Sequence, residues 1–424
     1  MNLLFYTIFL WAYRLAIRIA AFKNQKAKQW LAGRKDIFSR VEQKISPSDK
    51  IIWFHCASLG EFEQGRPVIE KIRIQYPGYK ILLTFFSPSG YEIRKNYTGA
   101  DFIFYLPMDS STNAQRFLDI VHPSLVVFVK YEYWYYYLRN IRNRNIPLLL
   151  ISAVYRSDQP FFKWWGSFYR KMLACFMHIF VQDKQSATQL KTIDFQTASL
   201  AGDTRFDRVV EIAGQFDPIE IIEEFCSDHK IIIAGSTWPD DEKMLKNLSE
   251  QIDRNVLKFI IAPHEINKAH IDEIQRLFPE AMLYSQLTTQ NQTSNLLSAF
   301  NNNVLIIDTI GILSRLYKYA YITYIGGGFT RDGIHNSLEA AVYGKPVLFG
   351  PTYSKYREAV ELIDAGGAKS FATTEELKDI VEGMLRDIQL YNSFCNASKG
   401  YVQSNAGATK RILEFIQENR LLTN

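Results

Sequence analysis

The residues able to do chemistry gather in short turns that follow apolar runs. In the second half of the chain these turns share a character. Gly235-Ser236-Thr237-Trp238-Pro239 follows one run, Pro263-His264-Glu265 the next, and Asp308-Thr309-Ile310-Gly311-Ile312 a third. Gly326-Gly327-Gly328 then leads to His335-Asn336-Ser337-Leu338-Glu339, and Gly350-Pro351-Thr352 closes the series. Turns that lack bulky side chains and open helices offer bare N–H groups and a positive dipole end, which is what a phosphate needs. Glu339, one turn into its helix, is placed to accept both hydroxyls of a ribose. Any single turn of this kind reads more simply as a structural strand-to-helix turn; several in one region favour a nucleotide. The dinucleotide fingerprint GxGxxG is absent, with Arg331 at its third glycine position, and no Walker A sequence occurs.

The first half differs. Its first apolar run ends in His55-Cys56-Ala57-Ser58-Leu59-Gly60-Glu61. Glu61 opens a helix, either as an acid that stabilises the positive dipole end or as a general base for a hydroxyl proton; spacing leaves both open. Two aromatic clusters, 131–137 and 161–169, come with Lys130, Arg156 and Lys163. They read as core or as an amphiphilic acceptor surface. Metal chemistry finds no support: there is no DxD, the seven histidines are scattered, and His264 with His270 does not fit HExxH. Asp240-Asp241-Glu242 reads as dipole-favoured surface charge near a helix start.

These turns need elements to hold them. Strands are expected at 51–56, 80–87, 125–129, 147–152 and 178–183, and again at 230–236, 257–263, 303–308, 321–327 and 346–350. Such runs, alternating with helical segments, mark parallel sheets covered on both faces. The expected architecture is α/β, with two doubly wound Rossmann-like domains facing a cleft. The expected divisions are an N-terminal membrane-associated helix at 1–25, a first domain at 26–205, a linker at 206–228, a second domain at 229–400, and a C-terminal helix at 401–424 that packs back on the first. Polar residues 285–302 read as a loop.

The 424 residues carry a net charge of only +5, unevenly spread. Residues 1–50 hold ten Lys/Arg against three Asp/Glu, and the remainder is close to neutral. A basic stripe for nucleic acid is therefore not expected on the body. Residues 2–13 are uncharged and apolar, Arg14 and Arg18 follow, and Lys23, Lys26, Lys28, Arg34 and Lys35 complete a basic cluster. Charges after the apolar core argue against a cleaved signal peptide. The segment reads as a helix in the cytoplasmic leaflet or a marginal single span, with its bases on anionic headgroups. The alternative is an amphipathic helix packed on its own domain. Four well-separated cysteines fit a reducing compartment.

Together these residues resemble the bacterial 3-deoxy-D-manno-octulosonic acid (Kdo) transferases of lipid A assembly. The likeness rests on the order and spacing of His55–Glu61, Ala234-Gly235-Ser236-Thr237, Asp308–Gly311, Gly326–Gly328 through His335–Ala341, and Pro346–Pro351. The resemblance implies a metal-independent, inverting GT-B glycosyltransferase with no cofactor, CMP-Kdo as donor, lipid IVA as acceptor, and the cytoplasmic face of the inner membrane as its place. By position, Glu61 matches the family's general base. Pro263-His264, Ile310-Gly311-Ile312 and Asn336-Ser337-Leu338-Glu339 match its CMP-binding segments. Arg205 stands where the family usually has a lysine thought to stabilise the transition state. Three positions depart from the pattern. Arg205 keeps the charge with another geometry, His264 replaces an arginine, and Lys130 replaces an acid in a motif whose second acid survives as Glu132. Lys130 is expected to face an anion, the Kdo carboxylate or a lipid phosphate. Another GT-B transferase acting on a membrane lipid, or a non-catalytic nucleotide-binding membrane protein, is the alternative.

Overall fold

A computed structural model describes residues 3–289 and 302–423. The chain forms two compact units, residues 1–208 with 406–424, and residues 209–405. The first unit is built on a parallel sheet of β1 (Ile51–Cys56), β2 (Lys80–Phe85), β3 (Phe102–Tyr105), β4 (Leu125–Val129), β5 (Leu148–Ala153), β6 (His178–Val181) and β7 (Ala198–Leu200), in the order β3-β2-β1-β4-β5-β6-β7. The second is built on β8 (Lys230–Thr237), β9 (Leu257–Pro263), β10 (Met282–Leu283), β11 (Val304–Ile306), β12 (Ile322–Ile325), β13 (Val347–Phe349) and β14 (Ala368–Ser370), in the order β10-β11-β9-β8-β12-β13-β14. Strand order reverses at β1/β4 in one sheet and β8/β12 in the other, the point where doubly wound sheets open a crevice at their carboxyl ends.

The central strands are buried on both faces, as their continuous Ile, Leu, Val and Phe content requires. All ten expected strands form. Four more, β3, β7, β10 and β14, were not expected, and every one is a sheet edge. An edge strand needs only one apolar neighbour, so Ala198–Leu200 and Ala368–Ser370 carry little apolar signal. Residues 206–228, expected as a linker, hold most of the helix Thr204–Gly214 and all of Glu220–Cys226. Of the loop expected at 285–302, residues up to Thr289 belong to the helix Tyr284–Thr289, and residues 290–301 lie outside those described.

Both chain ends enter the first unit's core. The helix Ala408–Glu418 buries Ala408, Ile412 and Ile416 against the layer that contains Ile52, Phe54 and Val127. The N-terminal helix, Leu3–Ala20, presents Leu3, Tyr6, Leu10, Tyr13 and Ile17 to the opposite layer. That spacing of three and four residues is one helical stripe. Tyr6 and Leu10 are buried, whereas Phe5, Ile8, Phe9, Trp11, Ile19 and the following Phe22 are more than half exposed. The helix therefore lies along its own domain over its whole length and turns a second apolar face outward. Among the described residues it is the one helix long and apolar enough to cross a membrane.

Candidate functional site

In the first unit, Glu61 sits in the first turn of the helix Leu59–Gln75, directly after β1. Ser58 is the extended residue before that helix, and its hydroxyl donates to Glu61 Oε2 instead of capping the backbone. Glu61 Oε1 has no hydrogen bond among the described residues. Lys130 follows β4, the neighbour of β1. Its φ of 70° is in the left-handed region, which a side chain with a Cβ adopts only under constraint. Its ammonium lies 5.4 Å from the Tyr131 ring.

Glu132 is buried and engaged. Its Oε2 is 2.8 Å from His55 Nε2 and accepts from Trp134 Nε1 at 2.5 Å. His55 Nδ1 lies 2.9 Å from Thr84 Oγ1, which also accepts from Trp53 Nε1 at 2.7 Å. This chain ties the ends of β1, β2 and β4 together by direct side-chain contacts. Burial, followed by the charges of Glu61 and Glu132, pushes the Cys56 thiol well above its usual pKa, so it is an inert neighbour of both carboxylates. The tract 202–208 joins the same corner. Thr204 Oγ1 donates to Gln64 O on the helix of Glu61 and lies 3.2 Å from Ser152 Oγ. Arg205 folds back on Asp203 through Nε at 2.9 Å and Nη2 at 2.8 Å. Glu61, Lys130 and Arg205 thus share the carboxyl end of one sheet.

The aromatic clusters divide between buried and exposed positions. Tyr137, Phe161 and Phe168 are core, and Tyr133 donates to Tyr155 Oη at 2.7 Å. Trp164 is 92% exposed and Trp165 42%. These two rings remain available to a surface.

In the second unit the loops approach one another as bare backbone. A Cβ on Gly326 would lie 2.3 Å from Ser236 O, and one on Gly328 would lie 2.5 Å from Gly350 N. The glycines there are a packing requirement. Gly311 is different: its φ is 95° and nothing lies within 4 Å of a built Cβ, so this turn faces open space beside Ile310, which is 86% exposed. Asn336 donates to Glu339 Oε1 at 3.0 Å, and its own Oδ1 accepts from Leu338 N at 3.1 Å. Ser337 and Leu338 are fully buried, so Leu338 fills core and Ser337 keeps a buried Oγ with no hydrogen-bond partner among the described residues.

His264, after Pro263, is the middle ring of a stack. Trp238 lies 4.9 Å to one side and His335 4.4 Å to the other. Trp238 Nε1 donates to His335 Nε2 at 3.1 Å, which places any ring proton of neutral His335 on Nδ1. Burial, with the charge of His264 second, brings His335 down to about 4.

The reading of Asp240-Asp241-Glu242 as surface charge is corrected for two of the three. Asp240 is exposed, but Asp241 and Glu242 are buried. Asp241 accepts from Trp238 N at 3.0 Å, Gly327 N at 2.8 Å and the Tyr324 hydroxyl at 2.8 Å. Glu242 accepts from Thr237 Oγ1 at 2.9 Å and lies 3.0 Å from His270 Nε2, whose Nδ1 reaches Glu265 O at 2.9 Å. Two carboxylates thereby fasten the turns after β8, β9 and β12. The spacing of Trp238 and Asp241 around Pro239 is a helix-start pattern that signals the first of these contacts; nothing local signals the rest. Among the described residues no cluster could hold a metal ion.

Known proteins resemble the chain in sequence and in fold. The family model for 3-deoxy-D-manno-octulosonic-acid transferase (kdotransferase) matches residues 29–208. A 3-deoxy-D-manno-octulosonic acid transferase of Haemophilus influenzae is 24% identical over 413 residues, covering 95% of this chain and 94% of that protein. One from Aquifex aeolicus is 26% identical, covering 75% and 80%. Among solved structures, a glycosyltransferase from Rickettsia africae superposes with a TM-score of 0.55 at 15% identity, covering 89% of this chain and 100% of that one. The UDP-GlcNAc 2-epimerase of Neisseria meningitidis does so with a TM-score of 0.59 at 18% identity, covering 87% and 100%. These last two establish the fold alone, the paired-sheet GT-B architecture. The likeness to Kdo transferases therefore runs over both halves of the chain.

Proposed function

We propose that the protein transfers Kdo from CMP-Kdo to lipid IVA in lipopolysaccharide synthesis, with inversion and without a metal. The observation that carries this reading is Glu61: a carboxylate at the carboxyl end of β1, oriented through Oε2 by Ser58. Glu61 takes the proton of the acceptor sugar hydroxyl as that oxygen bonds to the anomeric carbon of Kdo. The bond from that carbon to the CMP phosphate oxygen breaks, and CMP leaves with the electron pair. The turns of Pro263-His264, Ile310-Gly311-Ile312 and Asn336–Glu339 hold the nucleotide, with backbone N–H groups in place of a cation. Arg205 and Lys130 offset the negative charge of sugar and phosphate.

The acceptor is a lipid, and the outward face of Leu3–Ala20 supports a place for the protein in the cytoplasmic leaflet of the inner membrane. A helix docked along its domain by Tyr6 and Leu10 suits an in-plane position better than a span. Exposed Trp164 and Trp165 suit the same interface.

Incubation with CMP-Kdo and lipid IVA tests the assignment. Kdo transfer by the wild type, lowered roughly 10²–10⁴-fold by Glu61→Ala, is expected. No transfer, or a Glu61→Ala variant equal to wild type, would remove the enzyme reading. Competition by CMP but not by UDP separates this donor from other nucleotide sugars.

A further inference from the structure

A cavity of about 750 Å³ opens in the first unit, lined by none of the residues assigned to the reaction. Its walls come from the second half of the N-terminal helix, the following segment 30–39, and residues 107–116. Its charged groups are Arg14, Arg18, Arg34, Lys35 and Arg116 against a single acid, Asp36. Trp30, Ile37 and Met108 supply apolar wall. The size is that of a small-molecule pocket, and the charge is one-sided.

The cations differ in how they are used. Arg116 pairs with Glu42 at 3.0 Å. Arg34 has no carboxylate: it donates to the carbonyls of Trp30, Phe86 and Leu106 and lies 3.8 Å over the Trp30 ring. Burial lowers Arg34 to about 9, so it stays charged at neutral pH inside the wall. Arg14, Arg18 and Lys35 make no ion pair among the described residues. Arg14 and Arg18 are exposed, four apart on the helix whose outer face is apolar. A concave, cationic site with an apolar wall, at the flank of an exposed apolar helix, matches one ligand chemistry: an anionic phosphate carried on a lipid.

We infer that this pocket seats the phosphate of a membrane lipid headgroup, with Arg14 and Arg18 as its gripping pair and Arg34 as its fixed charge. The source is either an anionic bilayer phospholipid or a phosphorylated glycolipid. The site does not depend on the reaction proposed above, and its test uses no donor and no turnover.

The test measures lipid retained by the full chain in non-ionic detergent by native mass spectrometry. The probes are phosphatidylglycerol, the bisphosphorylated disaccharide lipid IVA, zwitterionic phosphatidylcholine, and inorganic phosphate as competitor. One retained anionic lipid per chain is expected, with phosphatidylcholine not retained. Arg14→Gln with Arg18→Gln should weaken retention by about fivefold per arginine removed. Lys23→Gln with Lys26→Gln, which removes two bases outside the pocket, should leave it unchanged. Tighter retention of phosphatidylglycerol identifies a structural lipid, and tighter retention of lipid IVA identifies a substrate seat; both support the inference. Equal loss in the two double variants would show diffuse attraction and overturn it. So would the absence of retained lipid, or displacement by inorganic phosphate at concentrations matching the lipid. Arg14 and Arg18 make no hydrogen bond or ion pair among the described residues, so an unchanged thermal midpoint is expected of that variant.

Discussion

The two units share a doubly wound parallel sheet and place their candidate residues at the same end of it, yet they equip that end in opposite ways. The first uses side chains: Glu61, Lys130 and Arg205, with Ser58 bonded to Glu61 and Asp203 to Arg205. The second uses backbone: the turns of Gly326 and Gly328 are packed so closely that a Cβ has no room, and Asp241 and Glu242 fasten them from below. The difference suits the task proposed for each. A proton acceptor must be one group with one orientation. An anion is held well by many weak N–H dipoles, and those dipoles need bare, fixed loops. Strain is placed accordingly. Lys130 is a side chain held at positive φ after β4, whereas Ser236 takes positive φ inside the register shift of β8.

That contrast can be broken most forcefully at Glu61. Glu61→Gln should abolish turnover by roughly 10²–10⁴-fold while CMP affinity, measured by calorimetry, stays at the wild-type value. A parallel loss of CMP binding would mean that the two units do not divide the work. Next in size is Gly328→Ala. Its Cβ would meet backbone, which cannot rotate away, and a loss of about 1–3 kcal/mol is expected in denaturant unfolding. An unchanged midpoint would show that the loops are not close-packed.

Acid should then separate the units. His335 has a folded pKa near 4, below its unfolded value of 6.5, so its contribution is complete above pH 6.5 and is lost as pH falls toward 4. Allowing for partial exposure of the ring, this amounts to about 1–2 kcal/mol. Asp109, buried in the first unit, runs the other way. Burial raises its carboxyl to about 6, so its contribution is complete below about pH 3.8 and is lost as pH rises through 6. Hydrogen exchange between pH 6.5 and 4.5 should show the second unit loosening while the surroundings of Asp109 hold. Loosening around Asp109 first would reverse the assignment. The smallest expected effect is at Lys130. Lys130→Glu keeps the backbone requirement and reverses the charge, so the KM for donor or acceptor should rise about tenfold with stability unchanged. Unchanged kinetics would remove Lys130 from the anion's path.

How much of this was legible in the sequence depended on whether the cause was local. The ten inner strands announce themselves because a strand buried on two faces must be apolar throughout. The four edge strands do not, since one face is enough to hold Ala198–Leu200 in place. Glu61 stood out because it follows a strand and opens a helix. Asp241 was misread as surface charge because two of its donors, Tyr324 and Gly327, come from more than 80 residues away. The same limit applied to the rings of 161–169. Phe168 and Trp164 are alike as residue types, and only packing against Tyr6 makes one core and leaves the other outside.

The docking of the N-terminal helix has a consequence for synthesis. The Tyr6 hydroxyl donates to Asp109 Oδ2 at 2.6 Å across 103 residues of chain, and Thr7 meets Tyr136 across 129. At roughly 5–20 residues per second, the helix waits on the order of 5–25 s for its partners to leave the ribosome. During that interval both of its apolar faces are unclaimed, and a bilayer is one surface able to take them. If the helix enters the membrane as proposed, attachment precedes folding and the domain is assembled onto a helix already delivered. Ribosome-bound chains halted before Asp109 should sediment with inner-membrane vesicles, and chains lacking residues 3–20 should not.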